Sequence, residues 1–177
     1  MTARQESIRR LRRAIVLVML GCLTFLSDLL MEFLPNIHLV AVLITVCTVV
    51  YRGWALIAVY VYVFLNGLYG GFALWWVPYL YIWTILWAAV MLLPRRMPRK
   101  LSVAVWGGVC ALHGFLFGIL YAPAQAWMFG LSFEQTLAWI AAGFPFDVIH
   151  GVGNAVLSAL ILPLADVLNK LEGTREM

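Results

Sequence analysis

Asp147, His150 and Asn154 lie in an otherwise apolar stretch and follow the i, i+3, i+7 spacing of one helical face. His113 stands alone in a second apolar run, at a depth where it can meet Asn154 if the two runs pack antiparallel. These side chains can hydrogen-bond a ligand through ring nitrogens, a carboxylate and an amide. His113, His150 and Asp147 could alternatively act as acid/base groups or as three metal ligands, although no tight spacing such as HExxH supports a metal. Ser102 and Ser158 sit elsewhere, so no nucleophile is paired with a base at a recognisable spacing. The plainer alternative is that Asp147 caps the start of its own helix and that His150 and Asn154 bond a neighbour.

Further polar and aromatic residues belong to the same level. Asn36 and His38 lie in a short loop, Asn66 ends another apolar run, and Asp28 and Glu32 are four apart on one helical face. The run Trp75-Trp76-Val77-Pro78-Tyr79-Leu80-Tyr81-Ile82-Trp83 supplies aromatic rings. Trp75 and Trp76 suit a membrane-interface belt. Tyr79 and Trp83, spaced i, i+4, are placed to stack on a planar ligand. The candidate binding set is therefore Asn36, His38, Asn66, Trp76, Tyr79, Trp83, His113, Asp147, His150 and Asn154.

The elements that must position these residues are apolar helices. Hydrophobic residues make up 64% of the chain, charged residues 11%, and the mean hydropathy is +0.96. A soluble domain carries about 25% charged residues, and this chain is too small to hide the excess in one core. Residues 53–94 contain no Asp, Glu, Lys or Arg, room for two bilayer crossings at about 20 residues each. The formal charge of +4 sits in short clusters between apolar runs, which argues against a nucleic-acid face. Cys22, Cys47 and Cys110 form no disulfide framework or CxxC pattern.

The pattern predicts an all-α membrane protein with six transmembrane helices: 14–34, 37–51, 54–69, 75–93, 101–121 and 145–168. Residues 1–13 form a basic, helical lead, 14–169 the membrane domain, and 170–177 a tail. The first apolar run lacks a small-residue cleavage site and reads as a retained helix. A less apolar connector carrying Pro123, Gln125, Ser132 and Glu134 precedes the last helix. With helices so placed, all 12 Lys and Arg residues fall on one side. The positive-inside rule then puts both termini in the cytoplasm and the polar cluster in the outer half of the plasma membrane. No GxxxxGK[ST] phosphate loop is present, so energy for active transport would come from a partner or an ion gradient.

The segments 34–40 (LPNIHLV), 69–76 (YGGFALWW) and 144–154 (FPFDVIHGVGN), with the basic N-terminal lead and the chain length, resemble the substrate-binding S components of energy-coupling factor transporters. The resemblance implies a non-enzymatic subunit that binds a vitamin or cofactor precursor near the outer face. It also implies docking on a membrane T component with two ATPases, often through a small-residue AxxxA surface on helix 1. Here Ala14 is followed by Val18 and Gly21, an imperfect version. With no Lys or Arg in the outer half, the expected ligand is a neutral or cationic heterocycle rather than an anion. No resident cofactor or metal is expected.

Overall fold

The computed structural model describes residues 2–94 and 97–173. Arg95, Arg96 and Arg175, which contribute to the charge asymmetry, lie outside the described residues. Eight α-helices carry the described chain, and no strand occurs among those residues: α1 Ala3–Leu30, α2 Val40–Tyr51, α3 Leu56–Gly70, α4 Tyr79–Leu92, α5 Arg99–Phe115, α6 Phe117–Phe129, α7 Phe133–Leu157 and α8 Ile161–Leu171.

The basic lead and the first apolar run form one helix. Thr2 starts α1 with a reciprocal cap, its hydroxyl accepting from the Gln5 N–H while the Gln5 side chain accepts from the Thr2 N–H. α1 stops at Leu30, four residues before the expected end, in a turn where Asn36 adopts φ 59°. Asn tolerates this left-handed conformation better than most residues.

α2 is the central pillar. Eleven of its 12 residues are buried, as expected for a helix apolar on every side. Its threonines need internal acceptors. The Thr48 hydroxyl donates to the Ile44 carbonyl at 2.7 Å, and the Thr45 hydroxyl lies 3.0 Å from the Cys110 sulfur. Cys22, Cys47 and Cys110 are all free thiols.

Among the described residues, five helical runs, not six, are long and apolar enough to cross a bilayer: Ala3–Leu30, Val40–Gly70, Leu74–Leu92, Arg99–Phe129 and Phe133–Leu171. By length and composition they fit a membrane-embedded protein. The difference from the expected six has a local cause at Arg52, where α2 and α3 are joined through a short 3₁₀ turn, Arg52–Ala55. Arg52 has φ 56°, and its side chain donates to the Met91 carbonyl at 2.6 Å while its own carbonyl accepts from the Trp87 indole at 3.2 Å. These contacts hold a non-glycine residue in a sparsely populated backbone conformation that costs on the order of 1–3 kcal/mol. The chain reverses there: His38, before α2, and Tyr62, within α3, both pack against the Trp83 ring, at 6.0 and 5.7 Å. At 12 and 15 residues, α2 and α3 measure only about 18 and 22 Å.

The last two runs are longer than expected. α6 continues through Pro123 to Phe129 and closes on Gly130, whose φ of 63° supplies the left-handed cap. α7 begins at Phe133, where Ser132 and Gln135 form a second capping box, and Pro145 lies inside it rather than at its start. Each proline removes one main-chain donor without ending the helix. Runs of 31 and 39 residues, the first broken at Leu116 and the second at Ser158–Leu160, exceed the about 20 residues that one bilayer crossing needs.

α5 and α7 meet along their backbones. A Cβ on Gly114 would lie 2.8 Å from the Gly151 Cα and 2.9 Å from the Asn154 amide nitrogen. At the basic end, Arg99 pairs with Asp166 at 2.9 Å and Arg12 donates to the Leu171 carbonyl. Gly114→Val should therefore destabilise the protein by about 1–3 kcal/mol. Gly108→Ala, which faces open space, should be neutral or stabilising by up to about 1 kcal/mol. Denaturant unfolding of detergent-purified protein measures both.

Candidate functional site

The face predicted on the last long run is present: Asp147, His150 and Asn154 are all buried on α7. α7 holds them against α5 and α6, while α4 contributes Trp83 and the turn before α2 contributes His38. Five aromatic and imidazole rings surround one region. The His38 and His150 rings lie 4.7 Å apart, Trp83 and His113 5.4 Å, and Phe117 sits 5.0 Å from His150 and 6.0 Å from His113. Tyr79 closes the edge, 6.0 Å from Trp83 and 6.3 Å from Phe117.

Hydrogen bonding fixes the polarity of several atoms. The His113 Nε2 lies 3.2 Å from the Ile82 carbonyl. A carbonyl only accepts, so Nε2 carries the proton, and in the neutral ring Nδ1 is an acceptor. The Asn154 Nδ2 donates to the Cys110 carbonyl at 3.1 Å, leaving its Oδ1 as an acceptor. Five buried polar atoms of this cluster have no hydrogen-bond partner among the described residues: His38 Nδ1, Trp83 Nε1, His113 Nδ1, His150 Nε2 and Asn154 Oδ1. Buried polar atoms are paired in the great majority of cases, so five in one cluster are a strong departure. The indole N–H can only donate, whereas the Asn154 oxygen and His113 Nδ1 can only accept. A partner satisfying the set must offer both donors and an acceptor. Outside the long apolar runs, burial pushes the His38 imidazole below its ordinary value, against the opposing pull of the Asp28 carboxylate.

Asp147 has a different task. Both its carboxylate oxygens lie 3.1 Å from the Gly118 N–H. The break at Leu116 starts a new helix at Phe117, and a helix's first N–H groups have no intrahelical acceptor. Asp147 thus caps a helix, but the neighbouring α6 rather than its own. No group of three His, Cys, Asp or Glu residues among those described is arranged to hold a metal ion. The triad of His113, His150 and Asp147 therefore has no geometric support as a metal site.

Three of the sequence-predicted residues lie away from this cluster. Asn36 is exposed in the turn after α1. Asn66 and Tyr62 both donate to the Asp28 carboxylate, at 3.3 and 2.9 Å. Trp76 donates its indole N–H to the Val63 carbonyl at 2.7 Å and packs edge-on against Phe72. Asp28, Glu32 and Asn66 line a separate small recess of about 120 Å³ with Phe25 and Tyr69. Phe117, central to the cluster, was not singled out from the sequence, although its i, i+4 spacing from His113 was available as a signal. Gly21, considered for helix-1 docking, is buried against Ala58 and Val61 of α3.

The chain matches no family model, no curated protein and no solved structure.

Asp147→Ala should strand the buried Gly118 N–H and cost about 1–3 kcal/mol. Asp147→Asn keeps one carbonyl oxygen as an acceptor and should lose less. Thermal unfolding of the two variants in the same detergent gives the comparison.

Proposed function

We propose that the chain is the substrate-binding subunit of an energy-coupling-factor-type transporter, a six-pass protein of the plasma membrane with both termini in the cytoplasm. In this reading the reversal at Arg52 makes α2 and α3 separate passes, and the clustered arginines lie on the inner side. The site around Trp83 lies in the outer half and takes a neutral or cationic heterocycle bearing amine or hydroxyl groups. A membrane T component and two ATPase subunits supply the energy, and this chain performs no chemistry on the ligand.

One observation carries the reading: five unpartnered polar atoms converge among the rings of Trp83, Phe117 and three histidines. The rings offer flat apolar faces, each worth about 0.5–1.5 kcal/mol to a stacked partner beyond its buried area. The two fixed acceptors, His113 Nδ1 and Asn154 Oδ1, favour a ligand that donates. The described Lys and Arg residues cluster toward the opposite end, as the Arg12, Arg52 and Arg99 contacts illustrate. An anionic ligand would lack a charged clamp.

Thermal shift of the purified full-length protein against neutral, cationic and anionic heterocycles tests this. A neutral or cationic ligand at about 100 times its Kd should add close to 2.7 kcal/mol of stability. His150→Leu and Asn154→Leu should remove that gain, with the unliganded melting temperature of each variant showing that it folds. Stabilisation by anionic ligands alone, or an undiminished shift in both folded variants, would overturn the reading.

A further inference from the structure

At the basic end, α1 and the 3₁₀ turn after α2 enclose a recess of about 360 Å³ lined by Glu6, Arg9, Arg10, Arg13 and Trp54. We propose that this recess binds the phosphodiester headgroup of an anionic phospholipid, gripped by Arg9 and Arg13 beside the Trp54 indole. The proposal rests on the membrane reading above but not on the transported ligand.

Charge is the first observation. Three guanidinium groups face one carboxylate, and Glu6 is paired with Arg10. Neither Arg9 nor Arg13 forms an ion pair among the described residues. The two are four apart, so they share one face of α1 about 6 Å apart along its axis. Arg13 is half-buried, and its Nε is enclosed without a hydrogen-bond acceptor. A phosphate supplies acceptor oxygens in the geometry that a guanidinium fork matches.

Level in the membrane is the second observation. The arginines of α1 are interleaved with exposed Ile8, Leu11 and Ile15, and the helix is continuously apolar from Ala14 to Leu23. A helix with this mixture of arginine and aliphatic side chains belongs at the headgroup–acyl boundary. Trp54, 38% exposed at the rim, is the residue type that sits at that boundary. A soluble phosphate would use the arginines but gain nothing from the aliphatic and indole surface, whereas a phospholipid uses both.

Native mass spectrometry of the full-length protein in an uncharged detergent, with no transport substrate present, tests the assignment. Phosphatidylglycerol and phosphatidylcholine with identical acyl chains are titrated against it. Phosphatidylglycerol should be retained preferentially, and Arg9→Gln and Arg13→Gln should each weaken it about fivefold, the effect of one surface arginine. Both variants should leave phosphatidylcholine unchanged. Arg99→Gln, at the same end but paired with Asp166, should retain wild-type binding. Equal retention of the two lipids, or a loss in Arg99→Gln as large as in Arg13→Gln, would overturn the site. Displacement of phosphatidylglycerol by excess inorganic phosphate would overturn the lipid assignment in favour of a soluble anion. If Arg13→Gln fails to fold, the exposed Arg9→Gln carries the same comparison.

Discussion

A polar atom enclosed among apolar helices must find a partner inside the protein, because neither hydrocarbon nor a packed core supplies one. Most of the interior obeys this constraint by pairing each group locally. Thr48 returns its hydroxyl to its own helix, Asp28 collects Tyr62 and Asn66, and Asp147 satisfies the N–H that the break at Leu116 leaves open. Arg52 is held in its left-handed turn by bonds to Met91 and Trp87. The cluster around Trp83 departs from the rule with five unpartnered atoms in one place.

The same constraint explains which expectations held. Asp147, His150 and Asn154 share a buried face because helical spacing and the cost of burying polar groups both operate within a single segment. The meeting of His113 with Asn154 depended on antiparallel packing of two runs. The structure brings them close, through the hydrogen bond that the Asn154 Nδ2 donates to the Cys110 carbonyl, one turn from His113, and the tight approach of Gly114 to Gly151. Asn36, Asn66 and Trp76 had the right residue types at the right level, but side-chain direction decides a partner and depends on tertiary packing. Asn66 turned toward Asp28, and Trp76 toward the α3 backbone.

Helix boundaries were less legible for a different reason. Pro123 and Pro145 suggested interruptions, yet the sequence Ser132-Phe133-Glu134-Gln135 already carried the S-x-x-Q pattern of a helix start, and Gly130 the stop before it. The capping signals prevailed over the prolines because neighbouring helices support a helix that lacks one hydrogen bond. The reversal at Arg52 was foreseen from Arg52-Gly53. Its two arms were already read as short, at 37–51 and 54–69, and the structure trims them further to 12 and 15 residues within the one run Val40–Gly70. Phe117 went unnoticed because its one signal, the i, i+4 spacing from His113, is weak in a run where phenylalanines recur at positions 115 and 117.

The most direct measurement compares small molecules extracted from the wild-type protein and from His150→Leu, purified side by side and analysed by mass spectrometry. The expected result is one aromatic heterocycle with amine or hydroxyl donors, near equimolar with wild type and missing from the variant. The same molecules in the same amounts from both proteins would contradict a ligand site at the histidine–tryptophan cluster.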